Sequence, residues 1–285
     1  MSNANDIKKA SQCLGSEPMS RIGEDLYQLV QAYAALGDHR TGTPVDQATI
    51  DWLVAELETR SARVNTIPYQ FERYVAHCRI MADSTEIEAL PLYYEAVGKV
   101  CSSRLYVDEL AIDVSVPGNR IASQLDELIA RARMAGAEAA ILGTSGVGGH
   151  LVALNHTPEL GSGLPTVLVS GASLPMLRQA EVHLELDARL EPSESATVIG
   201  HLGQGHTVSP VMVATPLSGW FRCAGERGTG IAVALQLATE LAERWPVMVV
   251  GTTGHELNNL GLRRFLAAHP FFPFSCPLCW VWRNR

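Results

Sequence analysis

The chain has 285 residues and a net charge of −8, with 22 Lys and Arg against 30 Asp and Glu. It is 47% hydrophobic and 18% charged, which excludes a disordered chain. No uncharged apolar run reaches the roughly 20 residues of a membrane helix, and no block of Lys and Arg marks a nucleic-acid surface. The polar N-terminus, MSNANDIKKASQCLGSEPMSR, lacks the apolar segment of a secretory signal, and six cysteines are too sparse for a disulfide scaffold. The expectation is a cytoplasmic protein with reduced thiols and neither a nucleic-acid nor a membrane partner.

Residues 21–36 space Ile22, Leu26, Leu29, Val30 and Tyr33 as a helix that Gly37 ends. The loop from Asp38 to Pro44 follows. Asp46 then suits the cap of a second helix reaching about Arg60, with Ile50, Leu53, Val54 and Leu57 on one face. Residues 64–82 read as extended structure. From about residue 84 the texture changes to short β-like pieces, a helix near 121–135, an Ala- and Gly-rich strand, a polar Gly-rich loop, the strand Leu164–Ser170, a short helix at 173–180 and a strand at 182–190. This predicts a compact α/β unit over 84–192, inserted into a core made of residues 20–83 and 193–285.

The core resumes with the strand ATVIGHLG. Pro210–Thr215 and Pro246–Gly251 are short apolar runs suited to buried parallel strands. They alternate with helices at 228–243 and 260–268. The fold class is therefore α/β, a mostly parallel sheet flanked by helices with a smaller α/β insert. In such sheets the site lies in loops at the carboxyl ends of strands, here Pro216–Arg227 and Thr252–Asn259.

The second loop carries His255 and Glu256, which both bind metals and both move protons near neutral pH. They equally suit a loop cap and a helix cap. The run misses HExxH by one residue, because Asn259 stands at the second His. In the first loop, Glu226 precedes a Gly-rich helix start at Gly228 and Gly230. It serves as an anion at a helix N-terminus or as a metal ligand. His201 and His206 flank Gly203–Gly205 as rim residues, and GVGGH (146–150) reads as a flexible loop. Cys276 and Cys279 have CxxC spacing, but prolines interrupt the stretch. Phe271, Phe272, Phe274, Trp280 and Trp282 crowd the last 15 positions, and no Asp or Glu follows Glu256.

The order helix, Gly-Thr-Pro loop, helix, α/β insert, strand, acidic residue before a Gly-rich helix, strand, and His255-Glu256 before Leu-x-x-Leu-Gly is suggestive. It resembles the co-catalytic zinc aminopeptidase family that includes glutamate carboxypeptidase and the transferrin receptor ectodomain. The insert resembles the protease-associated domain of that family, most clearly at ARMAGAEAAILG (132–143) and LPTVLVS (164–170). The resemblance implies a metal-dependent hydrolase of peptide or small amide bonds, with zinc as cofactor.

Carried over, the bridging acid falls on Glu226, the water-activating base on His255 and a metal ligand on Glu256. Thr215 stands where the family has its first ligand, a His. Two further ligands, an Asp and a His, have no Asp to match them after Glu256. The expected site is thus degenerate: Glu226, His255 and Glu256 as metal ligands, with His255 and Glu256 catalytic. The alternatives are a non-catalytic peptide- or protein-binding member of the same fold and a truncated or frame-altered chain. An uncovered sheet edge in a chain stopping near residue 268 implies poor solubility or a homodimer through that edge.

Overall fold

A computed structural model describes residues 21–112, 118–146, 148–161, 163–203 and 209–269. The CxxC pair, His206 and the aromatic tail lie outside the described residues. Two helices open the chain, α1 (Arg21–Ala35) and α2 (Pro44–Thr59). The cap of α2 is Thr43, not Asp46: Pro44 takes the first helical position, and the Thr43 hydroxyl accepts the Asp46 N–H at 3.2 Å. Asp46 sits in the first turn with its side chain turned into the protein, where it accepts the Gly42 N–H at 2.8 Å.

The extended segment is one strand, β1 (Arg63–Ala82). The two strands expected near 182–190 and 196–203 are one as well, β8 (Val182–Leu202). β1 and β8 pair antiparallel over their whole length. Between them run β2 (Thr85–Ile87), β3 (Ala89–Pro91), β4 (Gly98–Ser102), β5 (Leu105–Ala111), helix α3 (Gly118–Met134), β6 (Ala139–Ser145), β7 (Thr166–Ser170) and the short helix α4 (Leu174–Leu177). After β8 come β9 (Val211–Pro216), a π-type turn at Ala224–Gly228, α5 (Thr229–Ala242), β10 (Val247–Thr252) and α6 (Leu260–Ala268).

The larger sheet runs β2-β1-β8-β10-β9. The expected parallel pairing is found at β9 and β10, joined by α5, whereas β8 is antiparallel to both of its neighbours, β10 and β1. The other edge of β8 is shared: β10 occupies it at residues 198–202 and β4 at 184–188. The smaller sheet, β3-β7-β6-β5, is parallel except at β3. The second sheet thus falls within residues 89–170, while β4 and the first half of β8 join the larger one.

Strand alternation sorts the cores. Val247 and Val249 face Ile50, Leu53, Leu57, Ile231 and Leu235 of α2 and α5. Met248 and Val250 face Phe265 of α6 on the opposite side. In β6, Ala140 and Leu142 pack on Leu125, Leu128 and Ile129 of α3. Ala139 and Ile141 pack instead on Tyr74, Ile80, Leu184 and Leu186 of the β1–β8 ribbon. The ribbon therefore joins the two sheets through a shared apolar layer. Each fully buried Leu or Ile there contributes roughly 1.5–3 kcal/mol.

Candidate functional site

The loop after β10 begins at Thr253 and turns at Gly254, whose φ is +75°. A Cβ there would lie 2.8 Å from the Leu260 Cβ and 3.1 Å from the Tyr69 hydroxyl, so only glycine fits. The turn drives Glu256 inward, and its side chain is fully buried. The Glu256 carboxylate is held from two directions. The Thr41 N–H donates to Oε1 at 2.8 Å, and the Ser218 hydroxyl donates to Oε2 at 2.7 Å. Ser218 Oγ in turn accepts the N–H groups of Gly254 at 2.8 Å and His255 at 3.2 Å, and Thr41 Oγ1 also accepts the Gly254 N–H at 2.9 Å. Three loops, after α1, β9 and β10, thus close on one carboxylate.

The loop after α1 is stitched in further. His39 stacks on Tyr33 with ring centroids 3.6 Å apart. Its Nδ1–H donates to Thr49 Oγ1 at 2.6 Å, because the Thr49 hydroxyl is itself donating to Val45 O. Burial lowers the His39 pKa to about 4, so the ring is neutral. Gly219 N–H donates to His39 O and Tyr33 OH donates to Leu217 O. Beneath the loops lies a second buried acid, Asp46. Burial is the main cause that raises its pKa to about 7, against hydrogen bonds from Gly42 N–H and the Ser195 hydroxyl. Asp46 Oδ1 has no hydrogen-bond partner.

His255 is half-buried. Its pKa is lowered, first by desolvation and then by the Arg227 guanidinium. Arg227 is itself buried and donates from Nε to Ser218 O at 3.0 Å. Glu226 turns outward and pairs with Arg227 at 2.8 Å. Thr215 is buried at the end of β9 and offers only a neutral hydroxyl. His201 lies one residue before the end of β8, level with Arg63 of β1 and Met248 of β10.

These residues do not fit a zinc ion. Zinc needs three or four donors with free lone pairs about 2.0–2.3 Å from it. Here Glu226 turns away to pair with Arg227, that arginine puts a fixed positive charge beside His255, and the three side chains do not converge on one point. Among the described residues, the one group of His, Cys, Asp and Glu side chains whose ligand atoms all lie within 4.8 Å of one another is Cys101, His183 and Glu185. Glu226, His255 and Glu256 do not form such a group.

Several residues that shape the site were not visible as such in the sequence: Thr41, Ser218, Arg227 and the aromatic group around Arg40. Arg40 lies over the Tyr93 ring at 4.1 Å, and Tyr93 stacks on Trp220 at 4.2 Å. Trp220 Nε1–H donates to Asn155 Oδ1, and His156 N–H donates to Glu256 O. The 151–161 segment therefore reaches the Glu256 loop directly. The usable signal was position alone, since Ser218 follows an apolar strand and Thr41 lies in a Gly-Thr-Pro loop.

No protein-family model and no curated protein sequence matches the chain. Solved structures do. A zinc aminopeptidase from Bacillus subtilis superposes with a TM-score of 0.67 at 16% identity, covering 86% of this chain and 64% of that one. A peptidase M28 precursor from Shewanella amazonensis gives 0.65 at 16% identity, covering 94% and 72%. An aminopeptidase from Aneurinibacillus sp. strain AM-1 gives 0.56 at 15% identity, covering 86% and 66%. The architecture is the α/β fold of the zinc aminopeptidases. The chain spans less than two thirds of the Bacillus subtilis enzyme.

Proposed function

We propose that this chain is a peptide- or protein-binding member of the zinc aminopeptidase fold that does not hydrolyse what it holds. One observation carries this reading: Glu226, His255 and Glu256 do not converge on a common point, because Glu226 pairs outward with Arg227 while Thr41 and Ser218 hold Glu256 inward. A hollow of about 420 Å³ is lined by Phe71, Glu72, Pro158, Glu159, Leu260, Arg263 and Arg264, and Leu260 ties it to the β10 loop through its N–H donated to Gly254 O. It offers apolar surface and charges of both signs, the chemistry a peptide presents.

The second reading is metal-dependent hydrolysis of a peptide or small amide. The adjacency of His255 and Glu256 at the end of β10 favours it, as do the activities named for the similar structures. It requires Glu226 to leave Arg227 and turn inward toward His255 and Glu256. Three further assignments accompany either reading: residues 84–192 as a protease-associated-like insert, a cytoplasmic location, and a homodimer through β9. The dimer is supported by β9 lying at the sheet edge among the described strands with Val211 exposed. Among the described residues no helix is long and apolar enough to cross a membrane.

The test combines metal analysis, an aminoacyl-amide hydrolysis assay and peptide-array binding on the wild type and Glu256→Ala. Saturable peptide binding with no turnover, and no metal lost on removing Glu256, is expected. Zinc that disappears with Glu256, together with hydrolysis that disappears with it, would establish the second reading instead.

A further inference from the structure

The far end of β8 carries a different constellation. Cys101 on β4 is directly opposite Glu185 on β8, and His183 lies two residues before Glu185 on the same face. Cys101 Sγ and His183 Nε2 are 3.3 Å apart, and Glu185 Oε1 is 4.0 Å from the same Nε2. On the other side of the ring, His183 Nδ1 is 3.2 Å from Ser103 Oγ. All three side chains are at least partly exposed.

We propose that Cys101, His183 and Glu185 form a zinc-binding site with one coordination position left to solvent. The geometry separates this from a Cys–His nucleophile. In a nucleophilic pair the carboxylate orients the ring from the nitrogen opposite the thiol. Here thiol and carboxylate converge on one nitrogen, and a hydroxyl takes the other. Sulfur and nitrogen ligands at about 2.3 and 2.0–2.1 Å in a tetrahedron are roughly 3.5 Å apart, close to the separation present. A rotamer adjustment of the exposed Glu185 brings in the third donor. Ser103 accepts the Nδ1 proton and keeps the Nε2 lone pair aimed at the metal, the orienting role such partners play. The donor set of one thiolate, one imidazole and one carboxylate suits zinc over calcium or magnesium, which prefer oxygen alone. Binding replaces the thiol proton: the Cys101 S–H bond breaks, a sulfur–zinc bond forms, and the proton leaves to solvent.

This site lies at the opposite end of β8 from β10, in a part of the protein the Glu256 clamp does not touch, so it stands whichever reading of that clamp holds. The test is titration of the full chain with cobalt(II), then zinc competition against a chromophoric chelator. Wild type is expected to show a thiolate-to-cobalt charge-transfer band that one equivalent of zinc abolishes. Cys101→Ser and His183→Ala are each expected to lose the band, and Ser103→Ala to weaken zinc binding by about 10- to 100-fold. Glu256→Ala is expected to keep the band. Melting temperatures in chelator confirm that each variant folds. No band in the wild type, or a band that survives Cys101→Ser, would overturn the site.

Discussion

The Ser218 hydroxyl donates to Glu256 Oε2 at 2.7 Å while accepting the backbone N–H groups of Gly254 and His255. One short side chain after β9 thus fixes both the shape of the β10 loop and the direction of its only fully buried acid. The relationship makes Glu256 a structural group before it is anything else.

Removing either partner leaves buried polar groups unpaired, which costs about 1–3 kcal/mol per group. Glu256→Ala strands the Thr41 N–H and the Ser218 hydroxyl, so a loss of about 2–4 kcal/mol is expected in urea unfolding. Ser218→Ala should cost about 1–3 kcal/mol, and the double variant less than the sum, because the two share one network. Additive losses would show that the clamp is not a unit.

The two buried titrating groups near the clamp oppose each other. Asp46 holds its proton in the folded chain up to about pH 7, whereas unfolded it releases it near 3.8. The folded state therefore binds the extra proton between these values, and its contribution to stability falls as pH rises through that window. His39 is depressed from 6.5 to about 4. Its contribution is full above 6.5 and is lost as pH falls toward 4. The wild-type stability profile between pH 4 and 6.5 is expected to be shallow. Asp46→Asn should be more stable than wild type at pH 8, by on the order of 2 kcal/mol, and should weaken on acidification. His39→Gln should show the reverse slope. Parallel profiles for all three chains would contradict the assignment.

Arg227 places its charge beside His255 and contributes to that ring's lowered pKa, after burial. In Arg227→Met the His255 imidazole should titrate at higher pH, read directly from its ring-proton resonances. An unmoved titration would mean that burial alone sets it.

Gly254→Ala forces a left-handed residue and puts a methyl 2.8 Å from the Leu260 Cβ. A destabilisation of about 1–3 kcal/mol is expected. Because the same turn aims Glu256, peptide binding beside the loop should weaken as well. Wild-type stability in this variant would show that the turn relaxes freely.

Much of the architecture follows from local pattern. The apolar runs at Pro210–Thr215 and Pro246–Gly251 and the helix between them carry their own periodicity, and they appear as β9, α5 and β10 with boundaries shifted by a residue or so. Residues 260–268 are α6 as expected. Placing His255 and Glu256 just past a buried strand needed nothing beyond chain order. Three things were decided only in three dimensions. Residues 182–190 and 196–202 merge into one strand because β1 offers an unbroken partner for both, a pairing a hundred or more residues apart in sequence. Asp46 yields its capping role to Thr43 because Pro44 suits the first turn and the Asp46 carboxylate has buried donors to meet. Glu226, His255 and Glu256 look alike in a string of letters, as donors on adjacent strand ends. The fold separates them by burial and by partner: Thr41 and Ser218 take Glu256, Arg227 takes Glu226, and the closely grouped donors are instead Cys101, His183 and Glu185, set together across a strand pair. Sequence determines which donors are present and where along the chain they stand. Tertiary structure decides which donors converge and which are held by other partners, because that depends on residues brought from distant loops.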